Sequence, residues 1–80
     1  MKPTLTLDLS GPDGNTFMVI GYARELLTGL LLEHYNEEVR AALAPGSGKT
    51  HEDILAIVNQ YVTLVDTSGR YPAYAPKAAE

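Results

Sequence analysis

Apolar and polar positions alternate at the start of the chain, where Leu5, Leu7 and Leu9 interleave with Thr4, Thr6 and Asp8. A period of two turns one side of a strand into a core, so residues 4–9 are predicted to form the first strand. The alternation stops at Ser10-Gly11-Pro12-Asp13-Gly14-Asn15. Proline presets φ for a turn, Gly14 tolerates a positive φ and Asn15 is placed to cap a helix, which predicts a tight strand-to-helix corner. From Thr16 the period lengthens. Phe17, Ile20, Ala23 and Leu27, flanked by Val19 and Leu26, fall three or four apart and define one face of a helix running to about Thr28. Gly29 has the residue type found just past a helix end, although a helix continuing through it would cost only about 1 kcal/mol relative to alanine. A break at Gly29 is the preferred reading, with one long fused helix as the alternative.

The helical period resumes in Leu31, Leu32, Tyr35, Val39, Ala42 and Leu43, with Glu33, Glu37, Glu38 and Arg40 on the other side and Pro45-Gly46 as its stop. Thr50, followed three residues later by Asp53, is a capping-box-like start for a third helix with Ile54, Ile57, Val58 and Tyr61 on its apolar face, ending near Gln60. The stretch from Tyr61 to Asp66 is rich in β-branched and aromatic residues and is predicted to become the second strand. The fold class that follows is α+β, a small β-α-α-α-β domain over residues 1–66 whose terminal strands pair in a minimal sheet packed on helices. Three intervening helices permit parallel or antiparallel pairing. Two strands leave two open edges, either of which can add a neighbouring strand. Residues 67–80 carry Gly69, Pro72 and Pro76 without any period and read as an extended, partly disordered tail, with Tyr71 and Tyr74 available for docking.

Eighty residues allow one domain, and a chain of this size buries only about 60% of the surface exposed by its unfolded form. With no cysteine there is neither a disulfide nor a thiolate metal site to reinforce it, so self-association into a homodimer or higher symmetric oligomer is expected. In that assembly Leu31 and Tyr35 are expected near their symmetry equivalents, or the sheet continues across subunits. The start Met1-Lys2-Pro3 lacks the regions of a signal peptide and no apolar run reaches membrane-spanning length, which points to a cytoplasmic protein with no membrane partner. A formal charge of −4 opposes binding to a long nucleic acid but leaves room for a small anion held by local donors.

Residues 45–50, Pro-Gly-Ser-Gly-Lys-Thr, resemble half of a phosphate-binding P-loop, but Leu43 stands where the first glycine belongs and a helix, not a strand, precedes the loop. They read instead as an inter-helix loop. No cysteine nucleophile exists, and His34 and His51 lack a serine and an acid at recognisable spacing, so no catalytic residue is assigned. Asp8, Ser10 and Asp13 resemble a calcium loop only superficially, since its glycine position and distal glutamate are missing. No metal ligand and no cofactor are assigned. The remaining chemistry lies in the corner from Ser10 to Thr16, where a glycine-rich turn delivers a helix N-terminus with backbone N–H groups suited to phosphate or carboxylate. The same turn has a purely structural reading, because the Asp13 carboxylate is able to satisfy those donors itself. The candidate ligand-binding residues are Gly14, Asn15 and Thr16 for backbone donors and caps, Arg24 for phosphate, and Tyr22 or Tyr71 for stacking on a base.

The segment from Leu7 to Arg24, with its strand, its Gly-Pro-Asp-Gly-Asn turn and its helix bearing Gly21, resembles the opening of a group of small bacteriophage-encoded proteins. Their chains close near a Tyr-Val-Thr-Leu strand, here Tyr61-Val62-Thr63-Leu64. Residues 30–50 depart from that group. The resemblance implies a phage origin, hence residence in the host cytoplasm and a role in countering host defence without catalysis. The function expected is sequestration of a small phosphate-bearing nucleotide signal, such as a cyclic ADP-ribose derivative, by a homo-oligomer. The alternative is an interaction module that binds and inhibits a host protein through a strand edge, the second helix or the aromatic tail.

Overall fold

The computed structural model describes residues 2–76. The chain follows the order strand, three helices, strand: β1 (Thr4–Leu7), α1 (Thr16–Glu25), α2 (Gly29–Leu43), α3 (His51–Tyr61) and β2 (Thr63–Asp66). The two strands pair in parallel, with Thr4 beside Thr63, Leu5 beside Leu64, Thr6 beside Val65 and Leu7 beside Asp66. An odd number of antiparallel helices returns the chain to the end where it began, which resolves the pairing that the sequence left open.

The first strand is shorter than the alternation predicted. At Asp8 the carboxylate turns back to accept from the Ser10 N–H and hydroxyl, and the Asp8 carbonyl accepts from Gly11, so the ladder ends while Leu9 stays buried. One 3-10 turn, Pro12–Gly14, then leads into α1. Gly14 does not have the positive φ expected of it. Its role is space: a Cβ there would lie 2.1 Å from the Leu9 carbonyl oxygen, so only glycine lets the turn sit on the end of β1. Asn15 caps α1 as expected, its side chain accepting from the Phe17 N–H at 2.8 Å.

The first helix stops at Glu25, three residues early, because Leu26 and Leu27 turn their N–H groups onto Ala23 and Arg24. The break does fall at Gly29, which has φ +62° and starts α2. Phe17 was expected on the buried face and is 68% exposed. The buried phase of α1 is set by Val19, Ile20 and Ala23, with Leu27 just beyond, and no rotation buries Phe17 as well. Likewise Leu31 is 57% exposed and Leu43 is exposed, while Tyr35, Val39 and Ala42 carry the buried face of α2. Tyr35 is fully buried, donates its hydroxyl to the Ile20 carbonyl at 2.9 Å and meets Tyr61 edge-to-face at 5.4 Å. It belongs to the chain's own core, so the expected contact with a symmetry equivalent is withdrawn.

Helix α3 begins on a full capping box: Thr50 N–H donates to the Asp53 carboxylate at 2.9 Å and Asp53 N–H to the Thr50 hydroxyl at 3.2 Å. Leu5 and Leu64 on the inner face of the sheet join Ile54, Leu55 and Val58 of α3 in the core. The tail differs from the extended arm predicted. Pro72–Tyr74 forms a 3-10 turn, and Tyr71 and Tyr74 are half-buried against the core. The end of the predicted tail, residues 77–80, lies outside the described residues. No helix among the described residues is long and apolar enough to cross a membrane.

Candidate functional site

In open parallel sheets the space beyond the carboxyl ends of the strands is where loops and helix N-termini gather. Here β1 delivers the chain to α1 at that end, and β2 delivers it to the tail. The first residues of α1 and α3 also meet there, with Thr16 Oγ1 and His51 Nδ1 hydrogen-bonded at 2.6 Å. The tautomer of the ring decides which of the two donates. Two helices therefore present their N-termini side by side, and each carries partial positive charge on first-turn N–H groups that have no intrahelical acceptor. Asn15 takes the N–H of Phe17 and Thr50 takes that of Asp53. Those of Thr16, Met18, His51 and Glu52 have no acceptor among the described residues.

Beneath this pair lies Asp66, fully buried at the end of β2. One carboxylate oxygen accepts from Leu9 N–H at 3.0 Å, from Ser68 N–H at 2.9 Å and from the Ser68 hydroxyl at 2.6 Å, and the other accepts from Tyr71 N–H at 3.0 Å. Burial pushes this carboxyl up, but the hydrogen bonds outweigh it and hold the pKa at about 2, so Asp66 is ionised at neutral pH. Its lone pairs are committed to the chain itself. The knot binds the end of β1, the turn after β2 and the tail, and so fixes Tyr71. The Tyr71 ring lies 6.0 Å from that of His51 at an interplanar angle of 60°, and the Arg70 guanidinium carbon is 5.8 Å from the Tyr71 ring centre.

The structure thus brings four of the six candidate residues to one end of the sheet: Gly14, Asn15, Thr16 and Tyr71. Two of these do not offer the free backbone donors expected of them, although Asn15 does cap α1. Gly14 is buried with its N–H on the Gly11 carbonyl, and the Asn15 N–H is on the Pro12 carbonyl, so neither backbone donor is free. Of the remaining two candidates, Tyr22 reaches back to Asp13 in the same strand-to-helix corner and Arg24 points elsewhere. Tyr22 donates its hydroxyl to Asp13 at 3.0 Å, and that carboxylate raises its pKa. Arg24 lies eight residues beyond Thr16, about 12 Å along α1, and its Nε donates to Asn36 of α2 at 2.9 Å. The cationic and aromatic groups near the paired N-termini are His51, Arg70 and Tyr71 instead. A first-turn histidine beside a capping threonine was legible in the sequence; its meeting with Thr16 depends on how α1 and α3 pack.

A second concave region lies on α2 and α3, about 290 Å³ and lined by His34, Glu37, Glu38 and Tyr61. Tyr61 donates to Glu38 there at 2.5 Å, and that bond raises the phenol to about 12. Among the described residues no three His, Asp or Glu side chains are placed to hold one metal ion. Comparison with protein-family models, with curated proteins and with solved structures returns no match.

Proposed function

We propose that the chain is a non-catalytic binding protein that captures a small phosphate-bearing ligand at the carboxyl end of its sheet. The observation that carries this reading is the pairing of the α1 and α3 N-termini, joined by Thr16 and His51, with four first-turn N–H groups that have no acceptor among the described residues. In this arrangement the N–H groups of Thr16, Met18, His51 and Glu52 would hold phosphate oxygens, Arg70 would pair with the charge and Tyr71 would stack on an attached base. In this reading the Thr16 hydroxyl and His51 Nδ1, bonded at 2.6 Å, tie the two helix N-termini together, and the ligand would leave as it arrived.

The resemblance to phage proteins adds the biological setting: a nucleotide-derived defence signal held in the host cytoplasm. Calorimetry against a panel of such molecules, cyclic ADP-ribose derivatives included, tests the reading. Binding that weakens at least tenfold in His51→Ala and Arg70→Ala, with intact ligand recovered after denaturation, supports it. Silence across the panel, or recovery of a cleaved product, contradicts it.

The second reading, a module that docks on a host protein, is favoured by a different observation. Phe17 and Leu30 are 68% and 70% exposed, and Met18, Leu26 and Leu31 also lie open on α1, the link after it and α2. Recovery of a stoichiometric host protein from infected-cell lysate, lost in Phe17→Ser or Leu30→Ser, would favour this reading over capture.

A further inference from the structure

The two edges of the sheet are treated differently. In the ladder Pro3 and Leu7 present their carbonyls to Thr63 and Thr67 of the neighbouring segment, at 2.7 and 2.8 Å. Backbone groups alternate sides along a strand, so the N–H and C=O groups of Leu64 and Asp66 point away from β1, and those of Thr4 and Thr6 point away from β2. The β2 edge is capped at two of its outward groups. Leu64 N–H donates to the Asn59 side chain at 3.0 Å, and the Asp66 carbonyl accepts from Gly69. Beside them Ala73–Pro76 of the tail lines a groove of about 380 Å³ together with Thr63, Leu64 and Val65 of β2 and Thr4 of β1. Among the described residues no capping hydrogen bond of this kind reaches the β1 edge. Both threonines are exposed, and no hydrogen bond among the described residues reaches their outward backbone groups. Pro3, a residue that commonly blunts an edge, has its ring nitrogen turned toward β2 and so leaves the open side intact.

We propose that this edge is the dimer interface of the protein, occupied by β1 of a second copy running antiparallel across a twofold axis. The segment is complementary to itself. Antiparallel pairing must match outward-facing groups with outward-facing groups, and the register that sets Thr4 opposite Thr6 of the second copy does so twice. Each such pair exchanges two N–H···O bonds and places threonine against threonine on the exposed face, a favourable cross-strand pairing. The same register puts Leu5 on the axis and brings Lys2 opposite Asp8 of the second copy, again twice. Both are exposed; within one chain the Lys2 ammonium rests on the Asn59 carbonyl at 2.9 Å and one Asp8 carboxylate oxygen accepts from the Ser10 N–H and hydroxyl, so the other oxygen is the one that would meet Lys2 of the second copy. Sliding the strands either way to pair Thr4 with Thr4 or Thr6 with Thr6 forfeits those ion pairs. The closed pairing turns a two-stranded sheet into a four-stranded one and covers its less guarded edge. Because the two β1 strands run in opposite directions, the proposed ligand sites lie at opposite ends of the joint sheet, each built from one chain. Ligand binding and dimerisation therefore stand or fall separately.

Sedimentation equilibrium on the full chain tests the interface. The wild type is expected to be a dimer at micromolar concentration. Thr6→Pro removes an outward N–H and is expected to weaken the dimer at least tenfold. Lys2→Asp and Asp8→Lys, each alone, set like charges opposite one another and are expected to weaken it several-fold. An equimolar mixture of the two charge variants restores opposite charges at both ends and is expected to recover the dimer, a result that loss of folding in either variant does not produce. A wild-type monomer at hundreds of micromolar overturns the proposal. So does a dimer indifferent to all three substitutions, or charge variants that do not complement each other when mixed.

Discussion

At the scale of single residues, two positions bear more of the fold than their types suggest. Asp66 is a charged residue with no exposed surface, and it is stable there because four donors converge on it. Replacing it by alanine leaves the N–H groups of Leu9, Ser68 and Tyr71 without their acceptor, a loss expected to cost about 2–4 kcal/mol in urea unfolding. The pH dependence has a definite sign. The folded pKa, about 2, lies below the ordinary carboxylate value of 3.8, so the contribution is complete above the ordinary value and fades as pH falls toward 2. Urea midpoints between about pH 5 and pH 2 should therefore fall more steeply in the wild type than in Asp66→Asn. Gly14 is the second such position. Gly14→Ala forces a methyl group against the Leu9 carbonyl and should cost about 3 kcal/mol, the upper end of overpacking penalties, measurable in the same unfolding experiment. Neither role was legible in the sequence. Asp66 was placed only as the end of a strand and Gly14 as a turn glycine, because both constraints come from what the fold sets beside them.

Among the elements, the parts readable from the sequence are those governed by neighbours a few residues away. The Thr50 and Asp53 capping box, the Asn15 cap and the break at Gly29 are all local, and all stand where the residue types put them. Thr50→Ala removes the acceptor for Asp53 N–H and should cost about 1 kcal/mol, a modest drop in thermal midpoint. The phase of the helices held at Ile20, Ala23, Tyr35, Val39 and Val58, and what did not hold is the margin of each buried stripe. Phe17 and Leu31 fit the apolar period as well as Val19 and Tyr35 do, and only the positions of the other two helices decide which stripe turns inward. The tail failed for a similar reason. Tyr71 and Tyr74 show no period, yet the Asp66 carboxylate fixes the Tyr71 backbone and the core receives both rings in part.

For the molecule as a whole, the β-α-α-α-β order was legible, whereas the candidate site was legible only in part. Its location at a strand-to-helix corner followed from Gly11 to Thr16. Its partner helix did not, because α3 arrives from residues 35 positions further on, through the contact of His51 with Thr16. In the proposed dimer the candidate site is made within one chain, since the β1 edge lies along the strand and not at its ends. Capture of a phosphate at paired helix N-termini is the central claim, and an amide-resolved NMR titration with inorganic pyrophosphate tests it most directly. Capture predicts saturable shifts concentrated on the backbone N–H groups of Thr16, Met18, His51 and Glu52, with the Tyr71 ring following. Shifts that never saturate, or that fall instead on the exposed faces of α1 and α2 around Phe17 and Leu30, would contradict it.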